Sequence, residues 1–193
     1  MGIQKQQVSP SRNDLLWSFC RTLANETRLR LLFCIINSPP RSVFDLAEET
    51  GIKENYASMQ LRELHTYGLI APRRRKQCVY YSIQPSTSKT YAGMILPALI
   101  KCAKSRTSTD LIIHNVTAFT HQRRVEIVRS LSAKPQLFAE LVKTTSIAPS
   151  ALARHLAKLK ARNFILKTGN AYCVAQPKTP LKKALINVVS LNS

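Results

Sequence analysis

The sequence predicts a mainly α-helical fold with small β-hairpins, an α+β class, built twice in one chain. Three observations lead there. Apolar residues recur at helical spacing through most of the chain. Short β-branched and aromatic runs flank polar turns. A shift of 95 residues lays much of the sequence on itself.

The elements of the first copy follow in order. Residues 1–12 are polar, contain no apolar signal core and read as a flexible arm. A helix is expected from about Asn13 to Leu23. Asn25 can cap the next one, in which Leu29, Leu32, Phe33 and Ile36 recur at helical spacing. SPPR (38–41) ends it. Ser42 and Asp45 form an S-x-x-D capping box for SVFDLAEET, and Gly51 makes the turn. Another helix is expected from about Lys53 to Tyr67, stopping at Gly68. LIAP and CVYYSI are extended and frame RRRKQ, a basic hairpin tip. A last helix is expected from about Ser88 to Ser105, kinked at Pro97.

The second copy follows from the repeat. Pro40, Leu46 and Ile52 meet Pro135, Leu141 and Ile147. Leu61 and Leu64 meet Leu156 and Leu159, and Ile70 meets Ile165. Cys78-Val79 meets Cys173-Val174, Pro85 meets Pro180, and Arg28 meets Arg124 with one residue's slip. Matched turns at so long a period mean two domains, 13–106 and 107–193, rather than a solenoid. TSTD (107–110) leaves almost no linker, so the last helix of copy one must lie near the first helix of copy two.

Charge points to the partner. Lys and Arg number 29 against 10 acids, a net charge of +19. Residues 1–105 hold 15 bases and 7 acids, and residues 106–193 hold 14 and 3, so both copies are basic. A polyanion is implied: nucleic acid or an anionic membrane surface. The longest apolar runs, such as LLFCII (31–36), are too short to cross a bilayer. The expected location is the cytoplasm, on nucleic acid. Five scattered cysteines without C-x-C or C-x-x-C imply reduced thiols. Five glycines supply no phosphate loop, and H-E-x-x-H, G-x-S-x-G and paired carboxylates are absent, so no enzyme is expected. No cofactor or metal set is expected either; the four histidines are dispersed.

The residues that would carry binding lie on two helices and two hairpins. On a helical wheel Ala57, Leu61 and Leu64 cluster inward. Asn55, Met59 and Arg62 point the other way, flanked by Tyr56 and Ser58, with Lys53 at the start. A helix of that length, set on the turn after another, fits the major groove of duplex DNA. In copy two Leu152, Leu156 and Leu159 face inward. Ser150, Arg154 and Ala157 face out, flanked by Ala153 and Lys158, and His155 is placed to reach a phosphate or base. Pro149 suits a first helical turn. Arg73, Arg74, Arg75 and Lys76 can neutralise phosphates or enter the minor groove; the bland reading is a solvated turn that protects an edge. The tip of copy two, Lys167-Thr168-Gly169-Asn170, is less basic. Arg62 and Arg154 could read guanine or merely hold phosphate. Met59 could touch a thymine methyl or pack on the hairpin. Glu63 opposes DNA and is expected to pair with an arginine. Tyr80 and Tyr81 read as hairpin packing before base stacking, and Trp17 as packing between the copies. Cys78 and Cys173 take equivalent strand positions. Cys34 and Cys102 could approach each other as a redox pair.

The stretch LANETRLRLLFCI…SVFDLAEETGIKENYASMQLRELHTYGLI…VYYSI resembles the ArsR family of bacterial winged helix-turn-helix repressors, over about residues 13 to 105. Its A-N-x-T-R-L-R opening, D-L-A…G-I turn, L-x-x-L…G-L-I helix and Y-Y-S-I strand fall at family spacing. Copy two, with SALARHLAKLKARNFI, resembles it more weakly. The resemblance implies double-stranded DNA as partner, a recognition helix in the major groove, a wing on the backbone, and pairing through first and last helices. It does not extend to metal sensing. Where relatives carry C-x-C this chain has Ser42-Val43-Phe44-Asp45, and its last helix in copy one offers only Cys102. Because one chain holds both copies, an intramolecular pseudo-dimer is expected, monomeric in mass, with a homodimer left open. Three functions follow: a sequence-specific regulator, a low-specificity architectural or replication-initiator protein, and a protein-interaction module.

Overall fold

The computed structural model describes residues 12–191 apart from 39 and 85–89. Of the arm expected over residues 1–12, all but Arg12 lies outside the described residues, as does Pro85. The chain runs through one element order twice. The first pass is α1 (Arg12–Leu23), α2 (Glu26–Asn37), β1 (Arg41–Ser42), α3 (Val43–Thr50), α4 (Glu54–Thr66), β2 (Ile70–Arg75), β3 (Cys78–Ile83) and α5 (Tyr91–Lys104). The second is α6 (Thr109–Val116), a 3-10 turn at Thr117–Phe119, α7 (Gln122–Ala133), β4 (Gln136–Leu137), α8 (Phe138–Thr145), α9 (Pro149–Ala161), β5 (Ile165–Thr168), β6 (Ala171–Val174) and α10 (Pro180–Ser190). Each pass forms a three-stranded antiparallel sheet, ordered β1-β3-β2 and β4-β6-β5.

Local chemistry sets the helix ends. Asn25 Oδ1 accepts the Arg28 N–H at 2.9 Å and starts α2. Ser42 and Asp45 exchange their side-chain to backbone hydrogen bonds at 3.1 and 3.0 Å, completing the capping box of α3. The second pass keeps half of it. The Leu137 N–H donates to Glu140 Oε2 at 2.6 Å, but leucine has no acceptor to return. Gly51 ends α3 in the left-handed region at φ 69°, and Ser146 holds the matching place at φ 52°. Pro149 opens α9 within its first turn, and α5 runs continuously through the exposed Pro97.

The structure corrects two sequence expectations. Arg73, Arg74 and Arg75 are not the hairpin tip. They belong to β2, paired with Tyr80, Val79 and Cys78, and the turn is Lys76-Gln77 alone. The 95-residue register also fails beyond the hairpin. Ile70 pairs with Ile83, but Ile165 pairs with Val174, so the second hairpin is shorter. Tyr81 opposite Arg41 therefore corresponds to Tyr172 opposite Gln136. Cys78 and Cys173 are not equivalent: Cys173 matches Ser82, and Cys78 lies in the extension that the shorter hairpin lacks. The last helices align through their caps, Thr90 and Thr179, not through Pro85 and Pro180. Periodicity cannot see a deletion that a turn absorbs.

One apolar core joins both passes. Leu16, Phe19, Leu29, Leu61 and Leu99 share it with Phe119, Val125, Leu152, Phe164 and Leu185. Helix α5 packs along α10, and α1 packs on α6 and α7, so first and last helices meet at the junction. Arg21 reinforces it, stacking over Trp17 with Cζ 4.5 Å from the ring centroid and donating to the Thr120 carbonyl at 3.3 Å. Among the described residues no helix is long and apolar enough to cross a membrane.

Candidate nucleic-acid interface

Helix α4 is held by its inner face. Ala57, Leu61 and Leu64 are fully buried, and α2 and α3 pack against it. Gln60, only 4% exposed, is the polar member of that face. Its Oε1 accepts from Arg28 Nη1 at 2.8 Å. The same guanidinium donates Nε to the Thr22 carbonyl at 2.5 Å and Nη2 to the Arg21 carbonyl at 3.2 Å. One side chain thus closes the C-terminal end of α1 and fixes α4 beneath it. Burial lowers the Arg28 pKa, and the Glu63 carboxylate opposes that shift. Arg124 repeats the helix-closing half of this arrangement, donating to the carbonyls of Ala118 and Thr117 at 2.6 and 2.9 Å. Sequence reading saw both arginines as a repeat match and missed their task. The available signal was an arginine three residues after the N-cap of α2 and again three residues after the N-cap of α7.

What the inner face fixes, the outer face presents. Lys53, Asn55, Tyr56, Met59 and Arg62 are exposed, Met59 by 51%, and Ser58 is half-buried at the edge. Lys53 caps α4 without a side-chain hydrogen bond. Asn55 Oδ1 accepts the Tyr56 N–H at 2.8 Å, which leaves its amide Nδ2 to donate outward. Helix α4 is 13 residues long, about 20 Å. The hairpin lies beside it: Tyr81 packs on the core from β3, and the Arg62 cation is near enough to pull the Tyr81 pKa down against its burial.

Strand alternation divides the arginines. Arg74 shares a face with Tyr81, toward α4, while Arg73 and Arg75 share the other with Tyr80. All three and Lys76 are exposed. Of the strand's three arginines, Arg74 thus shares the α4 side of the hairpin with Arg62.

The second pass keeps the helix and alters the hairpin. Leu152, Leu156 and Leu159 are buried, and Ser150, Arg154 and Lys158 are exposed. Lys167 is exposed with its ammonium 5.8 Å from the Tyr172 centroid. The outer sheet face carries Thr168 and Ala171 where the first hairpin has Arg73 and Tyr80, places Leu137, Leu166 and Cys173 beside them, and has no counterpart of Arg75. His155 has a setting of its own. It is half-buried, its ring centroid 4.7 Å from that of His121, and its Nδ1 is buried without a hydrogen bond. Burial first, then His121 and the surrounding cations, push its pKa down to about 4.

The cysteines are free thiols in separate settings. Cys34 lies by Glu49, and burial with that carboxylate pushes its pKa up to about 11. Burial pushes the Cys102 thiol pKa up, and a hydrogen bond with the Thr107 side chain opposes that shift.

Comparison with known proteins bears on the second pass. Residues 121–167, from the cap of α7 to the first strand of the hairpin, match the family described as bacterial regulatory protein, arsR family. The match falls on the copy that the sequence alone marked as the weaker likeness. The matched segment holds α8, α9 and the Arg124 anchor, and the element order around it is that of a winged helix-turn-helix. No curated protein matches the chain. Among solved structures, reduced HlyU from Vibrio cholerae is 21% identical, covering 50% of this chain and 90% of that one, with a TM-score of 0.40. Human N-acetylserotonin methyltransferase in complex with SAM is 15% identical, at a TM-score of 0.36. That match covers 85% of this chain but only 45% of the methyltransferase.

Proposed function

We propose that the chain is a sequence-specific double-stranded DNA-binding transcriptional regulator, acting as a repressor without catalysis or cofactor, on the nucleoid in the cytoplasm. The two passes are two winged helix-turn-helix domains, 13–106 and 107–193, joined as an intramolecular pseudo-dimer. Helices α4 and α9 enter the major groove, and the β2–β3 wing lies on the phosphates. One observation carries this reading. A helix anchored by its apolar side presents Asn55, Met59 and Arg62 outward beside a strand of three exposed arginines, and α9 repeats the arrangement with Ser150, Arg154 and Lys158. The arsR match supports it from the other half of the chain.

Selection of bound fragments from a random duplex pool tests it. One asymmetric site of ~20 bp is expected, because the two outward faces differ. Equal affinity for all duplexes would favour the low-specificity architectural reading instead. Reversing Arg73, Arg74 and Arg75 to Glu should reduce the salt slope of log K by up to about 3. Unchanged affinity would favour the protein-interaction module.

A further inference from the structure

Each proposed recognition helix is fastened at its C-terminal end, and the two fastenings meet at the junction of the halves. In the first half Tyr67, the C-cap of α4, shares a hydrogen bond between its hydroxyl and that of Ser18 in α1. Its ring packs edge to face on Phe19 of α1, the centroids 6.1 Å apart. In the second half Arg162, the C-cap of α9, donates from Nε to Thr117 Oγ1 at 3.0 Å in the 3-10 turn. Phe164, just after α9, packs edge to face on Phe119 of the same turn, the centroids 4.8 Å apart. The Lys182 ammonium of α10 donates to the Arg162 carbonyl at 2.9 Å. The two C-caps correspond, since a shift of 95 residues lays Tyr67 on Arg162.

The two fastening points touch. Helix α1 packs on the 3-10 turn, and Arg21 spans them, donating to the Thr120 carbonyl at 3.3 Å. One pair of adjoining elements, one from each half, therefore carries the C-terminal ends of both helices. The free ends have leverage. Helices α4 and α9 are each 13 residues long. A tilt of about 10° at the fastened end of a ~20 Å helix moves the other end about 3.5 Å, close to one base-pair step. The N-terminal residues of a recognition helix are those that meet base edges. Helix α4 has a second tie, the bond from Arg28 to Gln60 at 2.8 Å. In α9 His155 stands in the place of Gln60 and meets His121 instead, so the Arg162 tie carries more of the load there.

We propose that Tyr67 and Arg162 are positioning residues that set the half-site spacing the chain accepts. The proposal rests on the reading of the chain as a DNA-binding regulator, but neither side chain acts by touching DNA. Firm fastening makes the chain intolerant of a changed spacing. Loosening either end lets the first turn of its helix follow part of the displaced groove.

The test uses the full chain in two arms. Without DNA, spin labels carried by non-canonical amino acids at Glu54 and Ser150, exposed first-turn positions of α4 and α9, report the distance between the free ends. Double electron–electron resonance should give a narrow distribution in the otherwise unaltered chain. The double variant Tyr67→Phe, Arg162→Gln should widen it by about 3 Å or more. With DNA, one base pair added or removed at the middle of the selected site should cost the unaltered chain at least about tenfold in affinity. That penalty should shrink at least about threefold in the double variant. Loss of an arginine charge weakens binding at every spacing alike, so the ratio between spacings is the readout. Thr117→Val removes the acceptor of Arg162 from the other side and should give the same changes in smaller measure, should the double variant fail to fold. An unchanged distribution overturns the proposal, as does an unchanged ratio between spacings. If selection yields no preferred site, the regulator reading falls, and the distance distribution still decides whether these two residues hold the helix ends.

Discussion

Replacing Arg28 by alanine probes how the recognition surface is held. Its guanidinium makes three hydrogen bonds, at 2.5 Å to Thr22, 2.8 Å to Gln60 and 3.2 Å to Arg21. Charge-assisted bonds contribute about 1.5–3 kcal/mol each when lost singly. They do not add, because the substitution also removes the cost of desolvating the guanidinium, the cost that lowers its pKa. The larger cost is what stays behind. Gln60 Oε1 remains in a side chain 4% exposed with its donor gone. The net loss should be about 3 kcal/mol, read as a fall in melting temperature of roughly 6–12 °C for a chain of this size. Urea unfolding followed by far-ultraviolet circular dichroism measures it. Arg28→Lys keeps the charge without the fork and should recover less than half. Removing Gln60 as well, as Gln60→Leu, should restore part of the loss, with a coupling of about 1 kcal/mol or more. A cost below about 0.5 kcal/mol for Arg28→Ala, or strict additivity with Gln60→Leu, would refute the argument that this arginine locks α4 in place.

Two further outcomes concern stability. Ser146 occupies a left-handed cap that Gly51 occupies in the first half, so Ser146→Gly should stabilise by up to about 1 kcal/mol. Gly51→Ala should destabilise by a similar amount, through φ alone, since no atom lies within 4 Å of the added Cβ. Chemical denaturation checks both. The pKa of His155 is depressed to about 4, and that of His121 is lowered also. Between about pH 6.5 and 4 the unfolded chain therefore binds more protons than the folded one, so stability rises with pH across that window and is flat above it. After solvent screening the His155 share is on the order of 1 kcal/mol. His155→Gln should flatten the profile between pH 4 and 6.5, and an unchanged slope would place the titration elsewhere.

Much of the fold was legible because helix ends are local chemistry. Asn25, Ser42 with Asp45, Gly51, Gly68 and Pro149 mark boundaries that need no tertiary information. The outward faces of α4 and α9 were legible for the same reason: a buried stripe of Ala57, Leu61 and Leu64 fixes what its opposite side shows. The illegible parts depend on distant partners. Whether Arg73 is turn or strand depends on its pairing with Tyr80, and β1 exists because Ser42 pairs with Tyr80 from the other side. His155 falls near the outward set on a wheel, yet His121 from another helix covers it. The Arg28 to Gln60 bond spans 32 residues and leaves no periodic trace. Loss of part of one hairpin shifted the repeat register without disturbing either half's core.

The central claim is that α4 and α9 of one chain read the two ends of one DNA site. Base-substitution binding across the selected site, with Arg62→Ala and Arg154→Ala measured separately, tests it most directly. The account predicts one chain per site of ~20 bp. Each variant should relax discrimination by about 1–3 kcal/mol at its own end of the site and leave the other end intact. If both variants relaxed the same bases, or if Arg154→Ala changed none, the two halves would not share one site as described.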